Sequence, residues 1–147
     1  LAAEFVVAAE HAEFFLPEAG LGIIPDTGAV RLPRILPPAV ATEVLIGGRR
    51  LDAREAERWG LVNRVVPVTD LRAAALELAD RISASAPLAV EAVLAIDRAT
   101  RHLSLEEAFA HLRSGDLEAY ERMLASEDAQ EGLQAFVEKR DPHWQGS

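Results

Sequence analysis

The sequence predicts an α/β fold in which a short mixed stretch gives way to a helical C-terminal part. Two observations predict it. Up to Pro67 the apolar residues fall in short runs, many of them β-branched or aromatic, and prolines and glycines interrupt them. That pattern suits strands joined to short helices. From Thr69 onward the apolar residues recur at helical spacing, accompanied by helix-start signals. The 147 residues, half of them apolar, suffice for a sizeable core.

The elements follow in order. Residues 1–9 are apolar apart from Glu4, and periodicity does not decide between a helix end and a buried strand. Residues 12–16 (AEFFL) read as a short strand ahead of Pro17. Residues 17–28 form a Gly/Pro frame, which no regular helix or central strand accommodates. GAVRLPRIL reads as a short helix that Pro33 interrupts or ends. PPAVATEVLIGG starts on proline and stops at Gly47-Gly48, as short helices do. Asp52-x-x-Glu55 has the form of a capping box, opening a helix to Trp59 that Gly60 stops. LVNRVVP alternates and is β-branched, so it is extended. Residues 69–84 place Leu71, Ala75, Leu78, Ala79 and Ile82 on one helical face. Pro87 starts a helix running to about His102, and Ser104-x-x-Glu107 opens a long one with the stripe Leu105, Phe109, Leu112, Tyr120 and Leu124. A last helix over 127–139 carries Ala129, Leu133, Phe136 and Val137. The segment EKRDPHWQGS is too polar for a core, with Trp144 placed to dock on a surface.

Composition removes several function classes. A net charge of −9 argues against a general nucleic-acid binder, whose affinity needs clustered Lys and Arg. Without cysteine there is no disulfide framework, thiolate nucleophile or Cys-based zinc site. No apolar run reaches membrane-spanning length, no membrane partner is expected, and the expected compartment is the cytoplasm. His11, His102, His111 and His143 show no metal-ligand spacing, so no metal is expected. No nucleophile elbow, P-loop or dinucleotide fingerprint is present. Glu106, Glu107, Glu118 and Glu121 are expected to face solvent. The chain starts without Met inside an apolar pattern, which suggests a piece of a longer protein or a processed product.

One stretch stands out as candidate chemistry. In LPEAGLGIIPDTG, residues 16–28, Pro17 fixes the backbone ahead of Glu18, and Gly20 and Gly22 permit close approach of a ligand. The apolar neighbours Phe14, Phe15, Leu16, Leu21, Ile23 and Ile24 are expected to bury the carboxyl and tune it for acid–base work. A connecting turn with an exposed glutamate fits the same residues. Lys139, the single lysine, forms a basic pair with Arg140 that suits either a phosphate or a helix C-terminus. Trp59 suits packing, or cation–π cover of a quaternary ammonium.

The order of motifs goes further. AEFFLPEAGLGIIPDTGAVRLPR, then GGRRLDAREAERWGLVNRVVP, SAPLAV and SEDAQEGLQAFVEKRDP, resembles the crotonase superfamily of enoyl-CoA hydratases and isomerases along nearly the whole chain. The wording IPD, RILPPA, RWGLVNRVV, RSG and SEDA-EG--AF-EKRDP-W-G resembles the subgroup that dehydrates carnitinyl-CoA. The resemblance implies that residues 1–66 are the C-terminal part of a crotonase-like ββα spiral, its N-terminal half absent. Residues 67–147 are then a helical region that mediates a homotrimer or dimer of trimers. It implies an acyl-CoA thioester substrate, two backbone N–H donors for the developing enolate oxygen, and no cofactor beyond the CoA of the substrate. Glu18 takes the family's Pro-Glu position, protonating C2 in hydration. The second glutamate and both oxyanion donors fall before Leu1. Pro17, Asp26, Phe136 and Lys139 are the implied substrate contacts, the last two near CoA and often across a subunit boundary. Asp26 departs from the commoner Pro-Gly-x-Gly-Gly pattern and suits a cationic acyl group. An isomerase of the same family, and a non-catalytic acyl-CoA-binding or oligomerisation module, are the other readings.

Overall fold

A computed structural model describes residues 2–147. The chain forms two compact units, one ending at Glu77 and the other spanning Leu78–Ser147.

The first unit is built around two small sheets. β1 (Val7–Ala9) pairs in parallel with β4 (Arg64–Val66), with Ala8 opposite Val65. Asn63 extends this ladder: its backbone N–H donates to Val6 O at 2.8 Å, and its side-chain oxygen accepts from Val6 N at 2.7 Å. β2 (Glu13–Phe14) pairs antiparallel with β3 (Leu51–Asp52). Between β2 and β3 the chain makes a 3-10 turn at Glu18–Leu21, α1 (Asp26–Arg31), a second 3-10 turn at Leu32–Arg34 and α2 (Pro38–Leu45). The helix expected over 28–36 is thus shifted and split. It starts two residues earlier, and proline's missing N–H tightens the chain to 3-10 geometry around Pro33.

Two apolar clusters hold this unit. Leu32, Leu36, Val40, Ala41, Val44 and the fully buried Leu51 form one, with Phe14, Leu16 and Trp59 packed against it. Trp59 is therefore a packing residue. Ala8, Ala53, Ala56, Val62 and Val65 form the other, where alanines let α3 (Ala53–Arg58) approach the β1–β4 pair closely. Asp52 caps α3 by accepting from Glu55 N at 2.7 Å. The expected box is only half made, because the Glu55 carboxylate turns to Arg49 at 2.6 Å.

The second unit is helical. α4 (Leu71–Ser83) contains the boundary, α5 spans Pro87–Thr100, and α6 spans Leu105–Leu112. α7 spans Glu118–Leu124 and α8 spans Glu127–Glu138. Leu71, Leu78 and Ile82 of the expected α4 stripe are partly buried, but Ala75 and Ala79 are exposed and Ala74 is buried in their place. The long helix expected from Ser104 is two helices. Its capping box is complete, but Gly115 adopts φ 81 and Ser114 Oγ accepts from Asp116 N at 3.2 Å, turning the chain between α6 and α7. Leu105, Phe109 and Leu124 of the expected stripe are exposed. Glu106, Glu107, Glu118 and Glu121 face solvent. No helix among the described residues is long and apolar enough to cross a membrane.

Candidate active site

Glu18 is held by its backbone. Gly20 N donates to Pro17 O at 3.1 Å, and Ile23 N donates to Glu18 O at 3.1 Å, closing a 3-10 turn with Glu18 as its first residue. The turn ends because Gly22 takes φ 79, where a side chain would be strained. Gly20 differs: among the described residues a Cβ there meets nothing within 4 Å beyond its chain neighbours.

The side chain of Glu18 lines a groove of about 410 Å³ with Leu16, Ile24, Pro25, Asp26, Thr27 and Gly28. Its Oε2 is excluded from solvent and has no hydrogen-bond partner. A buried acceptor without a donor is costly and uncommon, and a catalytic role is one physical explanation for it. Glu18 and Asp26, the two acidic residues singled out in the sequence, thus line one groove. Asp26 also occupies the first turn of α1, where its charge complements the helix dipole.

The groove's floor explains a glycine. A Cβ on Gly28 would lie 2.6 Å from Leu16 Cδ1, so a side chain at residue 28 would make Leu16 shift. Leu16 also lines an apolar cavity of about 310 Å³ with Phe14, Leu32, Val44 and Leu51 on its other side. Leu16 is therefore the wall between the groove and the core. The expected burial of the Glu18 neighbourhood is corrected: Phe14 and Leu16 are half-buried, but Phe15, Leu21, Ile23 and Ile24 are exposed, with Ile24 at 72 %. No layer among the described residues covers that side of the turn. Phe15 instead carries the Arg50 guanidinium over its ring, 3.6 Å from the centroid.

Phe136 and Lys139 belong to the second unit, at the end of α8. Phe136 is 84 % exposed and projects with Leu133 and Val137. Lys139 is the only non-glycine residue among the described residues with positive φ, at φ 56 and ψ 41. Its backbone N–H closes the helix onto Phe136 O at 3.3 Å. Arg140, by contrast, is occupied: it forks onto Glu131 at 2.6 and 2.8 Å, and its Nε donates to Glu138 at 2.6 Å. Of the basic pair read in the sequence, only the lysine is left to meet an anion.

The residues that carry the C-terminal family wording turn out to be a fastening. Ser126 caps α8 by accepting from Ala129 N at 3.1 Å. The buried Asp128 accepts from Gln145 N at 2.7 Å and Gly146 N at 2.9 Å. Glu131 also accepts from His143 N at 2.8 Å. The Arg140 guanidinium, then the His143 N–H, hold the Glu131 carboxyl down at about 2. Trp144 docks over Gly132 and donates from Nε1 to Ala84 O at 2.9 Å. Sequence reasoning singled out neither Asp128 nor Glu131. Their signal was the motif itself, whose carboxylates fall four and one residues from Gly132.

No group of three or more potential metal ligands occurs among the described residues. Among the described residues the chain thus offers Glu18, with one oxygen lacking a partner, and Asp26 lining the same groove, and at the end of α8 a lysine without an ion pair.

Comparison with known proteins fits this set. Residues 1–147 match the enoyl-CoA hydratase/isomerase family. A carnitinyl-CoA dehydratase of Salmonella arizonae is 55% identical over 147 residues, covering 99% of this chain and 56% of the relative. One from Proteus mirabilis is 56% identical, with the same coverage. The crystal structure of an enoyl-CoA hydratase from Bacillus anthracis superposes with a TM-score of 0.89 at 38% identity, over 99% of this chain and 55% of that one. The chain thus spans little more than half the length of the relatives it matches. On the family match and these identities, the chain belongs to the enoyl-CoA hydratase/isomerase family of the crotonase superfamily.

Proposed function

We propose that the protein is an acyl-CoA lyase that reversibly adds water across the 2,3 double bond of a 2-enoyl-CoA. The observation that carries this is the Glu18 carboxylate, fixed by a 3-10 turn at a groove with one oxygen lacking any partner. In dehydration that carboxylate takes the proton from C2 of a 3-hydroxyacyl-CoA, and charge moves onto the thioester oxygen. The C3–O bond then breaks and the C2–C3 double bond forms, the 3-hydroxyl leaving as water with a proton supplied by the second glutamate. In hydration Glu18 returns the proton to C2. The second glutamate and the oxyanion N–H groups are assigned to a segment outside these 147 residues. Pro17 sets the backbone that aims Glu18, and CoA enters as part of the substrate, with no separate cofactor.

The acyl group is proposed to be cationic, as in crotonobetainyl-CoA. Asp26 supports this, because a second acidic residue lining the groove of Glu18 favours a positive charge on the acyl tail. The two relatives named above, carnitinyl-CoA dehydratases, point the same way. Phe136 and Lys139 are assigned to the CoA portion, with the lysine as a point charge for phosphate. The exposed Leu133, Phe136 and Val137 support a homotrimer or a dimer of trimers.

The test is a hydration assay at the thioester enone band, with crotonyl-CoA and crotonobetainyl-CoA side by side. Turnover of crotonobetainyl-CoA with a higher kcat/KM is expected, and Asp26→Gly should move the preference towards crotonyl-CoA. Equal preference in Asp26→Gly and the parent would remove Asp26 from specificity. No hydration of either ester would remove the lyase reading.

A further inference from the structure

The end of α8 combines two features that neither the fold nor the proposed chemistry requires together. Lys139 adopts a left-handed conformation that glycine or asparagine would fill with less strain. The residues on both sides of it are pinned by one three-way ion pair. Arg140 Nη1 and Nη2 donate to Glu131 Oε1 and Oε2, and its Nε donates to Glu138. Arg140 N donates to Ala135 O at 3.1 Å, and His143 N donates back to Glu131. A helix that needed only to end here would take a glycine and no clamp. A helix that must present a cation at a fixed place would keep the lysine, accept the strain and neutralise the neighbouring arginine so that it does not compete. Glu131 supplies that neutralisation from two turns back, and its carboxylate spans positions 140 to 143.

We propose that Glu131, acting through Arg140, is a positioning residue that holds the Lys139 ammonium where it meets a phosphate of bound CoA. The proposal rests on the acyl-CoA reading above and adds to it a residue that touches no ligand. A rigid cation loses less freedom on binding than a mobile one, so the clamp shows itself in affinity for phosphate and not in affinity for the acyl end.

Two unreactive ligands separate the ends of the substrate. Butyryl-CoA carries the phosphates, and butyryl-pantetheine carries the same thioester without them. Both are titrated calorimetrically at pH 7 into the protein, Lys139→Ala, Glu131→Gln, Arg140→Lys and the double variant Glu131→Gln/Lys139→Ala. Glu131→Gln and Lys139→Ala should each weaken butyryl-CoA about tenfold and shift butyryl-pantetheine by less than about twofold. The double variant should bind no more weakly than Lys139→Ala, since both changes remove one interaction. Arg140→Lys keeps the charge but loses the fork, and should fall between; it carries the test if Glu131→Gln does not fold, as judged by circular dichroism. Unchanged butyryl-CoA affinity in Glu131→Gln overturns the proposal, as does equal loss for both ligands or a further loss in the double variant. If Lys139→Ala itself binds butyryl-CoA like the parent, the phosphate contact falls and the positioning role falls with it. If Lys139→Ala weakens binding but folded Glu131→Gln does not, only the positioning role falls.

Discussion

Glu18 Oε2 has neither solvent nor a donor among the described residues, while the backbone on both sides of it is hydrogen-bonded. Glu18→Gln keeps the shape and removes the acid–base group. We expect kcat to fall by roughly 10²–10⁴-fold with little change in KM, measured by steady-state hydration kinetics. Near-parental turnover would take Glu18 out of the reaction. The turn around Glu18 was legible in the sequence because proline and glycine punctuate it, and those residues act on the backbone directly; the role of the carboxylate came only with the family resemblance. Lys139 was legible only as a cation. Its left-handed backbone carries no sequence signal, since glycine is the residue that usually marks such a site. Lys139→Gly should relieve about 1 kcal/mol of strain and raise Tm by about 2–4 °C while weakening CoA binding. Calorimetric melting checks the first half, and a lowered Tm would mean that the lysine side chain stabilises the helix end.

At the scale of elements, caps read better than lengths. Ser104 and Glu107 form the complete box that their spacing predicts, and Ser104→Ala should cost about 1 kcal/mol in urea unfolding. Asp52 keeps half its box because Arg49 draws Glu55 away, a competition set by tertiary structure and invisible locally. The α6–α7 break was missed because helical periodicity passes through Leu112 and Tyr120. Ser114-Gly115-Asp116 is the turn signal that should have outweighed it. The α8 clamp also has a pH signature. The Glu131 carboxyl sits at about 2 in the folded chain, against 4.5 when unpaired, so acid protonates the unfolded chain first. Its stabilising contribution is complete above roughly pH 5, declines as pH falls through 4.5 and is lost as pH falls through about 2. Glu131→Gln should therefore flatten stability against pH between roughly pH 5 and 2, measured by urea unfolding. A slope unchanged from the parent would show that the pair contributes nothing.

For the whole molecule, the informative feature is apolar surface on each unit. Leu21, Ile23 and Ile24 project from the first, and Leu133, Phe136 and Val137 from the second. Exposed apolar residues so grouped mark surfaces that associate. Val137→Glu, outside the proposed ligand contacts, should lower the sedimentation mass from an oligomer towards a monomer at micromolar concentration; an unchanged mass would remove α8 from the interface. Apolar spacing had placed the same residues on α8. Periodicity reports that a face must be covered, not whether the cover is the same chain. The mixed-then-helical order of the fold was legible for the opposite reason: Pro/Gly punctuation and capping act within a few residues.

Asp128 has a consequence for exchange with solvent. The tail beyond Arg140 has no regular secondary structure, yet the amides of Gln145 and Gly146 end on a buried carboxylate that belongs to the first turn of α8. Deuterium should therefore enter those two amides on the timescale of α8 opening, not within the seconds typical of a free coil. In Asp128→Asn one carboxylate oxygen becomes an amide donor. At least one of the two slow protons near the end of the chain should then become fast, while the helix itself keeps its protection.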